Sequence, residues 1–573
     1  MSDKDLDGIT NAGSVGRMLA MLCIGSIALH AQAQQPPDAG SLQRQVEPRH
    51  TPELPKPVAP ESSDAARQRA AAQGPTLQVK RFNFEGNKRY SSAELEPVVA
   101  GYLNRPISLA DIEDAATLVA QYYRAKGWLA RVLVPPQQVN QGTVTLKVVE
   151  ARMGETRFTA DTPQDALAVP AKELSQWIES SQPKGQDLNL PRLERGLLLT
   201  KDLPGIDVKG SEIAGEGEGV TDVLLRANNT GGVQGEITLD NYGTPDTGRA
   251  RAAGRLGWNN WFGIGDQYLL MAQATDTMRF GYISGSVPIG RQGLRAGVNA
   301  SASHYRIDSS QFAALRPEGR SSGVDANFSY PLLRSAAANI YVSGDLELKH
   351  LVNETSTGVT SDYEIHDASL RVEMNFFDGL GGGAVSTASL SVVDGRADLG
   401  GSPSQASDAA TVNTQGHFNV LRYRFSRSQS LGPNFTLVAT LNGQLASRNL
   451  DTAEKIYGGG PYAVRAYAQG AGGAAQAAIF NLEGRWRLNV CDCEAAVFYD
   501  RMDARSNVFN GYSGAPASNT FTLEGAGLGL SGNFGAHWHF ALSLATRLGE
   551  DPTALVGKQG PRAQGWASLS YNF

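Results

Sequence analysis

From Gly231 to the C-terminal Phe573 no helical stripe survives, and segments of strict apolar/polar alternation recur at short intervals. Leu294, Ala296, Val298 and Ala300 oppose Arg295, Asn299 and Ser301. Ile340, Val342, Leu346 and Leu348 oppose Tyr341, Ser343, Asp345, Glu347 and Lys349. Leu370, Val372, Met374 and Phe376 alternate with Arg371, Glu373 and Asn375. Phe480, Leu482, Trp486 and Leu488 alternate with Asn481, Glu483, Arg485 and Arg487. Period-two alternation gives a strand one dry and one wet face. Between 233 and 573 there is room for 16 such strands, at about 21 residues each with its loop, and an even number of tilted strands is what a membrane barrel requires. A ring of that size encloses a lumen wide enough for water, and charges on the wet faces fit one.

Composition narrows the choice. Hydrophobic residues make up 41% and charged residues 19%, with a mean hydropathy of -0.27. That is too polar for a helical membrane protein, and past the leader no run approaches the ~20 apolar residues of a spanning helix. A net charge of -6 and pI near 5.9 give no overall basic character that points to nucleic acid. Coiled coil, multi-span helical transporter and disulfide scaffold are excluded. A soluble sandwich and an outer-membrane barrel remain, and the last segment decides between them. Phe573, Tyr571, Leu569 and Ala567 face one way, and Asn572, Ser570 and Ser568 the other. A chain that ends in an aromatic on its apolar face resembles the signal by which outer-membrane barrels are recognised for insertion, so Phe573 is assigned that role.

The N-terminal third supplies the compartment and the remaining domains. Met18 to Ala28 is an apolar run after Arg17 that leads to Ala31-Gln32-Ala33, the pattern of a signal peptide over residues 1–33. Leu22 before Cys23 argues against a lipid anchor. Residues 34–75 hold a short helix, with Ser41 expected to cap it through Val46. Prolines 48, 52, 55, 57 and 60 then make an extended linker. Residues 76–150 read β-α-α-β-β. A strand runs over Leu77–Phe84 and a capping box over Ser91–Glu94. A stripe at Leu109, Ile112, Ala116, Val119 and Tyr123 follows, then strands over Trp128–Val134 and Thr143–Glu150. Residues 151–226 repeat the plan more weakly, with Asn189 capping the second helix. Two such units in tandem resemble POTRA domains, whose sheet edges accept an extended client strand.

Several motifs carry less than they spell. Gly527-Leu528-Gly529-Leu530-Ser531-Gly532 matches the dinucleotide fingerprint, yet its flanks alternate as strand and no helix follows to hold a pyrophosphate. The eight histidines are scattered, and none sits in a nucleophile motif. His537 and His539 share one face but read as a solvated pair. Cys491 and Cys493 suit a small disulfide turn better than a metal, for which two more ligands are wanting. Neither catalysis nor a cofactor is expected.

Two motifs carry more. Gly458-Gly459-Gly460-Pro461-Tyr462-Ala463-Val464-Arg465-Ala466-Tyr467 lies between the segments Phe435–Ser447 and Gln476–Leu488, where a barrel places a surface loop. Tyr462, Val464 and Tyr467 are too apolar for a solvated tip. The loop of residues 456–475 is therefore expected to fold into the lumen, where Arg465 needs a carboxylate. Phe498-Tyr499-Asp500 puts Phe498 and Asp500 on one face of a later strand.

With these residues in hand, the chain resembles the outer-membrane transporters of two-partner secretion. These are the TpsB family of haemolysin/haemagglutinin activation and secretion proteins, relatives of BamA-type assembly factors. Leu239-Asp240-Asn241-Tyr242-Gly243 resembles the family's first-strand motif, Val464-Arg465-Ala466-Tyr467 its lumen-loop motif and Phe498-Tyr499-Asp500 its inward strand motif. Met502 stands where that last motif usually carries glycine, which puts close packing of the loop tip in question. The resemblance implies α+β periplasmic POTRA domains followed by a 16-stranded antiparallel transmembrane β-barrel over 231–573. It implies an outer-membrane location, a monomeric barrel in lipid, a plug helix within 34–47, and a secreted TpsA-type partner, adhesin or haemolysin-like. The alternative it leaves is a BamA-type assembly factor, against which two POTRA units and a plug-like leader argue. A diffusion porin lacks the periplasmic domains.

Overall fold

The computed structural model describes residues 36–47, 54–58, 76–549, 552 and 561–573. The signal-peptide assignment lies outside these residues.

A first helix, α1 (Ala39–Val46), begins at Asp38 and not at Ser41. The Asp38 carboxylate accepts the Ser41 N–H at 2.8 Å while the Ser41 hydroxyl lies 3.1 Å from the Asp38 N–H, which donates to it. The serine read from sequence as the cap is thus the third residue of a reciprocal capping box.

The first α/β unit holds β1 (Leu77–Gln78), β2 (Arg81–Glu85), α2 (Ser92–Val99), β3 (Pro106–Ile107), α3 (Leu109–Ala125), β4 (Ala130–Leu133) and β5 (Thr143–Glu150). Its main sheet has the order β2-β5-β4, with β2 parallel to β5. Both helices open on capping boxes, Ser91 with Glu94 and Ser108 with Asp111. The backbone N–H of the capping serine holds each carboxyl below its usual range. Ile112, Ala116, Val119 and Tyr123 are buried in the core. Leu109, the first residue of α3, departs from the expected stripe and is 60% exposed.

The second unit repeats the plan with β6 (Arg152–Phe158), α4 (Ala171–Ser181), α5 (Leu190–Lys201), β7 (Ile206–Ala214) and β8 (Val220–Asn229), in the order β6-β8-β7. The Asn189 side chain caps α5 by accepting the Arg192 N–H. Leu174, Trp177, Ile178, Val223 and Leu225 form its core.

Sixteen strands, β9 (Val233–Asp240) to β24 (Ala563–Asn572), then form a closed antiparallel barrel in which each strand pairs with its sequence neighbour. β24 returns to β9 over Ser568↔Asp240 to Asn572↔Glu236. Phe573 completes this seam: its N–H and carbonyl bond Gly235 at 3.0 and 2.9 Å, and its ring covers Gly235, where a Cβ would overlap it. The outer face is dry, with Val298, Leu346, Leu348, Leu370, Val372, Leu528 and Leu544 turned out. Asn299, Ser301, Ser321, Ser343, Lys349, Asp367 and Asn375 turn in and are buried. This is the division the alternation requires when lipid is outside and water inside. Strands run from 8 residues in β9 to 21 in β16 (Gly358–Asp378). The long ones outrun the hydrocarbon, so the outer face of β16 changes from Leu370–Phe376 to His366, Glu364 and Asp362. Gly527–Gly532 lies within β22 (Thr520–Phe534), a strand with no helix after it. Cys491 and Cys493 are joined in the turn between β20 (Gln476–Leu488) and β21 (Cys493–Arg505).

Candidate functional site: the lumen loop and the helix beside it

The loop between β19 (Phe435–Ala446) and β20 folds back into the barrel. Val464 and Tyr467 are buried among Ile479, Phe498, Met502 and Leu523. Tyr462 does not join them. It is 83% exposed to the lumen, its ring set edge-on to Tyr242 with the ring centroids 5.8 Å apart, because its phenol is better solvated in a water-filled cavity than packed among aliphatic side chains.

Arg465 reaches Asp500 by three bonds: Nε to Oδ2 at 2.9 Å, Nη2 to Oδ1 at 2.8 Å and backbone N–H to Oδ2 at 3.1 Å. Its guanidinium lies 3.3 Å over the Phe498 ring, close enough for cation–π attraction. Two further partners complete the site. Glu483 takes the remaining Nη1 at 2.6 Å, and Asn481 donates to Asp500 at 2.8 Å and to the Ala463 carbonyl at 2.8 Å. Both stood on the wet face of their strand in sequence, and only the cross-strand pairing Asn481↔Asp500 and Glu483↔Phe498 brings them to the arginine. The Asp500 side chain is fully covered, whereas Arg465 retains 14% exposure toward a cavity of about 500 Å³ that Arg44, Glu47 and Arg485 also line. A planar fork on a covered carboxylate fixes position as well as charge.

Met502 fits without glycine in its place. It is fully buried, and the room comes from the loop itself: a Cβ at Gly458 would run into its sulfur. Gly458→Ala is therefore expected to push the loop off its seat and cut export severalfold. Met502→Gly should restore export in that background, measured as exoprotein in the medium against barrel in the membrane.

The first-strand motif reaches the same place through the seam. Asp240 pairs with Arg251 at 2.7 Å and accepts the Tyr242 N–H at 2.8 Å. The Asn241 side chain bonds the backbone of Gly565 and Ala567 on β24, both at 2.9 Å, and the Gly243 N–H bonds the Arg249 carbonyl at 3.0 Å. Tyr242 sets its ring edge-on to Trp566, whose indole N–H donates to the Arg465 carbonyl at 2.7 Å. Trp566 thus joins the motifs. Its signal in sequence was parity: it shares a face with Ser568, Ser570 and Asn572, not with the apolar set.

α1 sits inside the barrel. Ala39 and Leu42 pack with Tyr305, Tyr363 and Phe418. The Ala39 N–H donates to Asn353 at 2.7 Å and the Thr452 hydroxyl to Asp38 at 2.8 Å. A Cβ at Gly40 would come within 2.7 Å of Thr452, so glycine lets the helix lie against the loop. Below it, Lys349 faces Glu347, Asp367 and Glu454 at 3.0, 3.3 and 2.8 Å, and Glu454 also takes Arg422 at 2.6 Å. His537 bonds the Asn572 carbonyl at 2.7 Å and His539 the Asn533 side chain at 3.0 Å. Among the described residues no metal-binding cluster occurs.

A sequence profile described as haemolysin secretion/activation protein ShlB/FhaC/HecB matches residues 219–532, and one described as POTRA domain, ShlB-type, matches 77–151. The heme/hemopexin transporter protein HuxB of Haemophilus influenzae (strain 86-028NP) is 26% identical over 89% of this chain and 91% of its own length. The outer membrane transporter CdiB of Dickeya dadantii (strain 3937) is 23% identical over 73% and 74%. Among solved structures, CdiB from Escherichia coli superposes with a TM-score of 0.68 at 20% identity, covering 90% of this chain and 93% of that one. BamA from Haemophilus ducreyi gives 0.52 at 13%, covering 87% and 100%. A closed 16-strand barrel, periplasmic POTRA units and a profile match over more than half the chain lead to one conclusion: this chain belongs to the ShlB/FhaC/HecB haemolysin secretion/activation family, the outer-membrane transporters of two-partner secretion.

Proposed function

We propose that the two α/β units capture one unfolded, β-rich TpsA-type exoprotein in the periplasm, and that a monomeric barrel passes it outward once α1 leaves the lumen. The observation that carries this reading is the seating of α1 and the loop of Arg465 in one lumen, α1 on Asn353 of the inner wall and Thr452 of the loop, and the loop on Asp500 of the wall. Both are held by contacts that can be exchanged without breaking the barrel's ladder. The sheets offer β2, β4, β6 and β7 as edge strands, and an extended client gains main-chain hydrogen bonds there with little dependence on its sequence. No nucleotide is at hand outside the inner membrane, so folding of the exported chain at the surface is the driving term. In this scheme Asp240–Gly243 and Phe573 secure the seam, and Phe498, Asp500, Val464, Arg465 and Tyr467 hold the loop.

The test is binding of the partner's unfolded N-terminal segment to a fragment of residues 76–229, which holds both cores and extends to the end of β8. Saturable binding that a proline in β7 weakens is expected. Absence of saturable binding would remove the capture role and leave the family assignment standing.

A further inference from the structure

The second α/β unit meets the barrel at three successive turns of its periplasmic rim. The Asn260 amide donates to the Ala168 carbonyl at 2.5 Å; Arg291 pairs with Glu173 at 2.9 Å; and Arg195 donates to the carbonyls of Gln292 and Pro331 at 3.2 and 2.8 Å. The third turn joins β14 (Glu318–Arg334) to β15 (Ala338–Thr355), and there the contact continues inward.

Two lines of hydrogen bonds cross that turn. In the first, Asp202 of the second unit grips Arg334 through Nε at 2.7 Å and Nη2 at 2.8 Å, and Arg334 Nη1 donates to Asn339 Oδ1 at 3.0 Å. Asn339 donates to Asn375 at 2.9 Å, and both amides converge on the carbonyl of Pro55, at 3.2 and 2.9 Å. Pro55 belongs to the linker that follows α1. In the second line, Glu194 on α5 accepts the Ala336 N–H at 2.8 Å and the Ala336 carbonyl accepts the Val58 N–H at 2.9 Å. The linker is therefore held by main-chain groups, on a seat whose other side is the second unit. Arg334, Asn339 and Asn375 are only 6%, 0% and 3% exposed.

We propose that Arg334 is a positioning residue that couples docking of the second unit to retention of the linker, so that displacing the unit from the rim loosens the tether of α1. A guanidinium this covered needs its carboxylate. When Asp202 withdraws, Arg334 turns toward water and ceases to hold Asn339. The Asn339 amide is then free to rotate, and the two donors no longer converge on Pro55. Coupling of this kind is reciprocal: loss of the linker weakens docking of the second unit by the same factor. The coupling requires two discrete states, linker seated and linker released, of which the structure holds the seated one. The proposal rests on reading α1 as a plug, but its test reads the linker and not conductance, so the two can fail separately.

The experiment is hydrogen–deuterium exchange of the linker peptide in the full-length, detergent-solubilised protein, with the heat-modifiable gel shift as the check on the barrel. Asp202→Asn should raise exchange at the Val58 amide about tenfold, the scale of losing a charge-assisted bond. Asn375→Ala should do the same, and the double variant should be no faster than the faster single, because both sit on one line. Glu194→Gln, on the other line, should add to either. Arg291→Gln removes a docking pair on another turn; with Asn260, Arg195 and Asp202 still holding the unit at the rim, it should raise exchange far less than Asp202→Asn. Arg334→Gln tests the residue directly; if that barrel does not fold, Asp202→Asn still decides. Wild-type exchange in Asp202→Asn would overturn the proposal. So would multiplication of the Asp202→Asn and Asn375→Ala effects, or an Arg291→Gln effect of equal size.

Discussion

Arg465→Ala should abolish export while the barrel still inserts and keeps its heat-modifiable gel shift. In sequence the arginine needed one carboxylate, and at 4 Å with an effective dielectric near 20 the raw attraction is about 4 kcal/mol. The structure raises the stakes, because Asp500 has no exposed side-chain surface and takes two hydrogen bonds from the Arg465 guanidinium beside the one from its backbone N–H. Leaving such a carboxylate unpaired costs about 3–5 kcal/mol. That is at least a hundredfold in loop population, since about 1.4 kcal/mol is tenfold, but it is small against sixteen strands of ladder. Arg465→Lys should also impair export, because an ammonium cannot serve Asp500 and Glu483 as a planar fork does. Asp500→Ala should resemble Arg465→Ala, and the double variant should be no worse than either single, since neither charge is then left buried alone. Glu483→Gln should be milder: Glu483 also holds Arg485 at 2.7 Å and borders the lumen cavity. Normal export by Arg465→Ala would sink the lock, and loss of the gel shift would make the pair a structural one.

Deleting residues 34–60 should raise single-channel conductance severalfold in planar bilayers. α1 packs Ala39 and Leu42 against the inner wall and places Arg44, Gln45 and Glu47 in the remaining space. Sixteen-strand barrels without such an insert leave an aqueous channel. A point variant makes the same test without shortening the chain. Gly40→Leu has no room beside Thr452 and Ala453 and should raise the fraction of open channels at unchanged barrel yield. Equal conductance in the deletion would show that α1 does not limit the pore.

The two tests differ in how far the sequence alone could have designed them. The Arg465–Asp500 pair was legible because a lumen loop and an inward face are each marked locally, one by apolar residues around an arginine, the other by strand parity. Nothing local marks Glu483, Asn481 and Trp566 as partners of that pair. Their parity was visible, but a parity names a face and not a neighbour. Asp38 and Ser41 are both good caps, and only the backbone shows which residue leaves the helix first. Leu109 keeps the spacing of the stripe but stands at the first position of its helix, 60% exposed, so spacing there did not imply burial.

Alternation determined the strands and their dry and wet faces, and in lipid such strands have few ways other than a closed barrel to satisfy their backbones. The fit of Met502 against Gly458, the meeting of the motifs at Trp566, and the two lines from Asp202 and Glu194 to the linker were decided only in three dimensions. The reason is range. Periodicity is written by neighbours two residues apart, which the chain cannot separate. A contact such as Asn375 to Pro55 spans 320 positions, and it exists only because barrel closure and the docked second unit bring both to the same rim.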